Sequence, residues 1–171
     1  MDLTSYLIGR NSAGGSGGGS SGAIVKVDMS KYDEEVSGFI TAITEIVNLD
    51  TSNIEYFGYM FQWFTSMENA PIIDTSNATN MESMFSSCFS LKNVPVYDTS
   101  NVETMRLTFE DCSNLTDESL DNILQMCINA TNYSDEKNFL SLTYYQLYSV
   151  SKIQSLPHYQ DFINAGWTIG Y

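Results

Sequence analysis

Residues 72–101 read IIDTSNATNMESMFSSCFSLKNVPVYDTSN, and the tetrapeptide Asp-Thr-Ser-Asn occurs twice in that stretch. A third copy lies upstream, so the set is Asp50–Asn53, Asp74–Asn77 and Asp98–Asn101, and the three starting positions set a constant 24-residue period. The flanks keep the same register. After each Asn come Ile54, Ala78 and Val102, then Phe57, Met81 and Met105, then Met60, Met84 and the polar Thr108. Phe61, Phe85 and Phe109 follow, then Phe64, Cys88 and Cys112, then Met67, Leu91 and Leu115. Leu49, Ile73 and Tyr97 stand just before each tetrapeptide, and Ile40, Ile43 and Ile46 carry the register backwards as a partial repeat.

A period of this length is the mark of a solenoid, in which one repeat cannot bury its apolar residues alone and stacking buries them as ladders. Apolar steps of three and four residues fit neither one long helix nor a strand. The expected fold class is therefore an α/β repeat: about three 24-residue coils with short parallel strands near 46–49, 71–73 and 95–97. A brief strand or helical turn is expected over 78–85 and its equivalents. Pro71 and Pro95 precede two of the expected strands, where a strand tolerates proline.

Outward from the repeats, Thr116 followed by Asp117 and Glu118 reads as a helix start, with acids at the positive end of the dipole. Leu120, Ile123, Leu124 and Cys127 then form one apolar face, and the helix should end near Asn129. A second helix is expected over Tyr145–Ser155, with Leu147, Val150 and Ile153 inward. Pro157 should open a third, running to about Ala165 and stopped by Gly166. Trp167, Ile169 and Tyr171 alternate like a last edge strand. This makes 117–171 a mainly helical C-terminal cap, 46–116 the solenoid, and 23–45 an N-terminal cap with the partial repeat. In that cap, Ile24–Met29 alternates apolar and polar residues.

Residues 11–22, NSAGGSGGGSSG, are a Gly/Ser tether, and residues 1–10, MDLTSYLIGR, are a short head. Leu3, Tyr6 and Leu7 fall at i, i+3, i+4, with Ile8 beside them. One helical turn would present a small apolar face, too short to be stable without a partner. The tether gives an r.m.s. reach of about 17–21 Å. The head is read as an anchor peptide.

Acidic residues number 21 against 7 basic ones, for a net charge of −14. The basic residues are scattered singly, so no stripe exists to release phosphate counterions, and nucleic-acid binding is not expected. No apolar run approaches the length of a membrane span, so no membrane insertion is expected. No secretory signal is visible, which implies synthesis in a cytoplasm.

The stretches IIDTSNATNMESMFSSCFSLKNVP and VYDTSNVETMRLTFEDCSNL resemble the BspA-like family of leucine-rich repeats, over about residues 40–120. That resemblance implies a leucine-rich-repeat solenoid with adhesive or surface roles, and implies no enzyme. The head and Gly-rich tether look like the start of tailed-phage virion proteins. The C-terminal stretch from LTDESLDNILQMCINATNY to AGWTIGY is similar to the end of repeat proteins that such phages encode.

Several residue sets carry a sharp and a plain reading. Asp50, Asp74 and Asp98, with Asn53, Asn77 and Asn101, could line a calcium ladder. The preferred reading is turn capping, in which these side chains bond nearby backbone groups. Cys88 and Cys112 share a repeat row with Phe64 and read as core, without a Cys-x-x-Cys pair or a partnering histidine for zinc. His158, the one histidine, reads as a helix-end residue. Asn77, Asn114, Asn129 and Asn132 begin glycosylation sequons. Tyr56, Tyr59 and Trp63 fall between the core rows of the first repeat and form the candidate ligand surface, or else pack against residues 23–39. No metal and no cofactor is expected.

These features lead to one expected function. The chain is a non-enzymatic virion component of the head-fibre, tail-fibre or decoration type. It is made in the host cytoplasm and docks on a capsid or tail protein through residues 1–10. It turns its solenoid toward a host surface protein or glycan, as a single copy or a homo-oligomer. The alternative is a cellular surface adhesin or protein-interaction module built on the same repeat.

Overall fold

Backbone polar groups removed from water must be paired, so a long segment that is neither helix nor strand has to find other partners. The computed structural model describes residues 24–27, 43–47, 49–134, 136–139 and 148–169. Between 49 and 116 it contains turns and single bridges only. The N–H groups of Phe57, Tyr59, Phe61 and Trp63 donate to the carbonyls of Asn80, Glu82, Met84 and Ser86, each one position short of a full repeat ahead. The intervening Met60, Gln62 and Phe64 donate three residues back and close local turns. The next repeat does the same. Met81, Ser83, Phe85 and Ser87 donate forward to Thr104, Arg106, Thr108 and Glu110, while Met84, Ser86 and Cys88 turn back.

Because every second N–H turns back, extended strands do not form here. Parallel pairing is confined to single bridges at Tyr56–Asn80, Asn80–Thr104 and Asn69–Asn93. The strands expected at 71–73 and 95–97 are absent. Pro71 lacks the N–H that would continue the forward bond made by Ala70 to Asn93, and Pro95 the one that would follow the bond of Val94 to the Ser119 hydroxyl. The strand expected near 46–49 exists as β2 (Ile43–Val47), but its partner β1 (Ile24–Val27) runs antiparallel to it. β1 belongs to an upstream segment with a different register, so the repeat period does not govern that pair. Ile24 faces Val47 and Lys26 faces Glu45, with an irregularity between Lys26 and Val27.

The core lies under the turns. Its centre is a pile of phenylalanines one repeat apart. Phe61 and Phe85 stack at 5.3 Å and Phe85 and Phe109 at 5.8 Å, with rings within 16° of parallel. Tyr97 stacks on Phe85 from the side at 6.0 Å, and its hydroxyl donates to the Pro71 carbonyl. Ile43, Met67, Leu91 and Leu115 form a second buried row, and Ile46, Ala70 and Val94 a third. Thr108 breaks the methionine row without cost to its hydroxyl, which lies 2.9 Å from the Met81 carbonyl and 2.5 Å from that of Met105.

The C-terminal segment takes over the bonds that a further repeat would make. Helix α1 (Asp117–Asn129) starts on Thr116, whose hydroxyl accepts from the Ser119 N–H. Its buried face is Leu120, Ile123, Leu124, Met126 and Cys127. Ser119 Oγ donates to the Lys92 carbonyl and accepts from the Val94 N–H, which seats α1 against the second repeat. Helix α2 (Val150–Gln154) is shorter than the helix expected over 145–155, and residues 145–147 lie outside the described residues. Helix α3 (Tyr159–Asn164) begins two residues after Pro157, on His158. Asp121 on α1 accepts from the His158 N–H at 2.9 Å and meets its ring Nδ1 at 2.7 Å, tying α3 to α1.

Helix α3 stops at Gly166, whose φ of 89° is open to glycine. The Gly166 N–H returns to Ile163 and the Trp167 N–H to Phe162, and the Trp167 and Phe162 rings stack. After it, among the described residues, the expected edge strand is represented by one parallel bridge, Asn138–Thr168, and Trp167 is buried, while Tyr171 lies outside the described residues. Tyr148 closes the join. Its hydroxyl donates to the Cys112 carbonyl and accepts from the Leu115 N–H. Partial burial pushes the Tyr148 hydroxyl up to about 12.

The middle ring of the phenylalanine pile has a neighbour on both faces, so its loss leaves a cavity that neither neighbour can fill. Phe85→Ala is expected to lower the unfolding free energy by about 3–5 kcal/mol, read as a lower midpoint in urea denaturation.

Candidate functional site

The tetrapeptide builds the corners, and each of its side chains has a structural partner. Asp50, Asp74 and Asp98 accept through Oδ1 from the N–H groups of Ser52, Ser76 and Ser100 within the same turn. Thr51 and Thr75 donate to the carbonyls of Asp74 and Asp98 in the next repeat, at 2.7 and 3.0 Å. Asn77 and Asn101 donate to the carbonyls of Ser52 and Ser76 in the previous one, at 2.8 and 2.9 Å. Asn53 begins the row and donates to the Ser52 hydroxyl. The C-terminal segment continues both rows, with Thr99 bonded to the Met126 carbonyl and Asn132 to that of Ser100. Among the described residues no group of three or more His, Cys, Asp or Glu is placed to hold a metal ion.

The same commitments govern the other polar candidates. The amides of Asn77, Asn114 and Asn132 donate to backbone carbonyls of Ser52, Phe89 and Ser100. Cys88 and Cys112 donate to the carbonyls of Phe61 and Phe85 from the fully buried core, and burial pushes both thiols up, Cys112 to about 12. They are not poised nucleophiles.

The exposed chemistry is aromatic. Tyr56, Tyr59 and Trp63 keep 43%, 38% and 37% of their surface in water. Their positions follow from an unexpected backbone feature. Tyr59, Ser83 and Leu107 share a positive φ of 53–62°, and so do Trp63, Ser87 and Asp111 at 59–69°. Each set recurs once per repeat. The left-handed conformation costs a non-glycine residue about 1–2 kcal/mol. It is held because the N–H of each member in the first two repeats donates forward: Tyr59 to Glu82, Trp63 to Ser86, Ser83 to Arg106 and Ser87 to Glu110.

Ring surroundings differ among the three. Tyr56 lies over Gly58, where a Cβ would come within 2.7 Å of its ring. Tyr59 sits near Glu82, Ser83 and Arg106, and its hydroxyl is pushed up by partial burial first and by the Glu82 carboxylate next. Trp63 meets Phe89 edge-on at 6.4 Å. Phe89, 42% exposed, occupies the position of Thr65 and Ser113 in the other repeats, and its departure from that polar row was the available sequence signal. Ser86 donates to Glu110 at 2.8 Å in the same region.

Away from these rings, a shallow groove of about 290 Å³ lies between Ile72, Asn69, Asn93 and the start of α1 at Glu118 and Asn122. Ile72 is 87% exposed there. The anchor candidates Leu3, Tyr6, Leu7 and Ile8 lie outside the described residues, and so does all but 24–27 of the 23–39 segment named in the alternative reading of the three aromatics. No helix among the described residues is long and apolar enough to cross a membrane.

Two outcomes test this geometry. At the left-handed Asp111, glycine removes the steric cost and a β-branched residue raises it. Asp111→Gly is expected to be neutral or to raise stability by up to about 1 kcal/mol, and Asp111→Val to lower it by more than that, in chemical denaturation. At the corners, the Ser52 hydroxyl and N–H hold Asp50 below its ordinary value of 3.8, and the Ser76 N–H and hydroxyl do the same for Asp74. A carboxylate lowered on folding contributes stability above its unfolded value, and that contribution is lost as pH falls through the folded one. An NMR titration should place both groups below 3.8. Asp74→Ala should show a shallower loss of stability on acidification below about pH 4.

A family model described as "Mycoplasma protein of unknown function, DUF285" matches residues 27–145, well over half of the chain. No curated protein and no solved structure matches it. The matched span contains all three tetrapeptides and the aromatic face, and the chain belongs to the DUF285 family.

Proposed function

We propose that the chain is a non-enzymatic binding protein. In this reading residues 46–116 form a short leucine-rich-repeat solenoid related to BspA-like repeats. Residues 1–10 attach it to a phage capsid or tail protein, and the aromatic face meets a host surface protein or glycan. The observation that carries the binding role is the division of labour in the repeat. The tetrapeptide side chains are taken up by corner bonds, whereas Tyr56, Tyr59 and Trp63 are held outward by a backbone that accepts left-handed residues to place two of them. Forward bonding from each repeat to the next supports the solenoid. Attachment rests on the apolar head, Leu3, Tyr6, Leu7 and Ile8, joined to the domain by a Gly/Ser tether.

The family match favours a second reading. Its description names proteins of a cellular organism, so the same face would serve a cell-surface adhesin or a protein-interaction module.

Removing residues 1–22 separates the two. If the chain is virion-attached, the truncated form keeps its far-ultraviolet circular dichroism and no longer joins particles assembled in its presence. A truncated form that still joins them overturns the anchor. Full-length chain that never joins particles but adheres to cells supports the second reading.

A further inference from the structure

We propose that Tyr59 and Trp63, flanked by Tyr56 and steadied by Phe89, stack on the sugar rings of an uncharged hexopyranose chain. The inference deepens the glycan half of the proposed function and rests on it. Four observations favour this occupant. The first is preorganisation. The φ values of Tyr59 and Trp63, 62° and 69°, are fixed by forward hydrogen bonds, so the backbones that carry these rings are ordered before a ligand arrives. The second is that two of the rings are supported by neighbours and still exposed. Tyr56 lies over Gly58 and Trp63 rests edge-on to Phe89, yet each keeps more than a third of its surface in water. A supported and part-exposed aromatic ring offers surface to the apolar C–H face of a pyranose.

The third observation is the polar surround. Glu82 and Arg106 lie near Tyr59, and Glu110, bonded to Ser86, lies one residue from the repeat position of Trp63. Carboxylates accept from paired sugar hydroxyls, and guanidinium donates to ring and hydroxyl oxygens. The fourth is charge. The domain beyond the tether carries the whole net charge of −14, and near these rings Arg106 stands against Glu82 and Glu110. Such a field repels uronic-acid and sialylated chains and leaves neutral ones unopposed.

The two tryptophans make the test specific. Trp63 is 37% exposed and Trp167 is 1% exposed, so acrylamide quenches Trp63 while Trp167 reports on the core. Full-length chain is titrated with cellohexaose, maltohexaose, mannohexaose and chitohexaose, and with hexagalacturonate as the anionic comparison. At least one neutral oligomer is expected to shift the Trp63 emission to the blue and shield it from acrylamide, with hexagalacturonate at least tenfold weaker. Trp63→Gly suits the left-handed backbone, and its Trp167 emission shows whether the core is intact. In that variant, and in Tyr59→Gly, affinity measured by calorimetry should fall at least tenfold. The proposal is overturned if no neutral oligomer acts on Trp63, if hexagalacturonate binds as tightly as the best of them, or if Trp63→Gly binds unchanged. A chain that fails these tests but still needs residues 1–22 to join particles loses the glycan platform and keeps the virion anchor.

Discussion

A backbone N–H that donates to a carbonyl in the following repeat is the constraint on which the rest of this molecule depends. At Phe57, Tyr59, Phe61 and Trp63, and again at Met81, Ser83, Phe85 and Ser87, it binds each repeat to the next. The residues between them donate back by three, which bends the chain and keeps it from extending into strands. Equivalent side chains are thereby superposed at one-repeat intervals. That is why Phe61, Phe85 and Phe109 stack, and why the thiols of Cys88 and Cys112 reach carbonyls in the repeat before them. The corners obey the same offset through side chains, with Thr bonding forward and Asn bonding back.

This geometry also explains how an ordinary repeat comes to display large aromatic rings. A forward-bonded residue in the left-handed region can carry a side chain of almost any size, provided it is not β-branched. The second repeat places Ser83 and Ser87 there, both buried, and the third places Leu107 and Asp111. Only the first repeat places Tyr59 and Trp63 there. The frame is constant and the displayed group varies. The acidity fits that frame too. The corner carboxylates of Asp50 and Asp74 are fixed by neighbouring serines and are exposed.

Much of this was legible in the residue order, for physical reasons. The period, the core rows and the turn chemistry of the tetrapeptide are set by burial and by local side-chain bonds. The start of α1 at Thr116, its end at Asn129 and the stop at Gly166 follow from capping. The parallel strands are not legible, because apolar residues before each Asp suggest extension while the pairing depends on alternate N–H groups turning back. The left-handed positions escaped notice because none of the six is glycine. Their signature is an absence. Across Tyr59, Ser83 and Leu107, and across Trp63, Ser87 and Asp111, no Val, Ile or Thr occurs. Of the candidate face, Tyr56, Tyr59 and Trp63 are legible from their place between core rows, whereas Phe89 shows in the sequence only as a departure from a polar row, and its contact with Trp63 joins it to the face.

The most direct test of the stacked register is a measurement of scalar couplings across hydrogen bonds in isotope-labelled protein. Couplings are predicted from the Phe61 nitrogen to the Met84 carbonyl carbon and from the Phe85 nitrogen to the Thr108 carbonyl carbon, with none from Phe61 or Phe85 to a carbonyl four residues back. Helical couplings at those nitrogens, or partners at any other offset, would contradict the account.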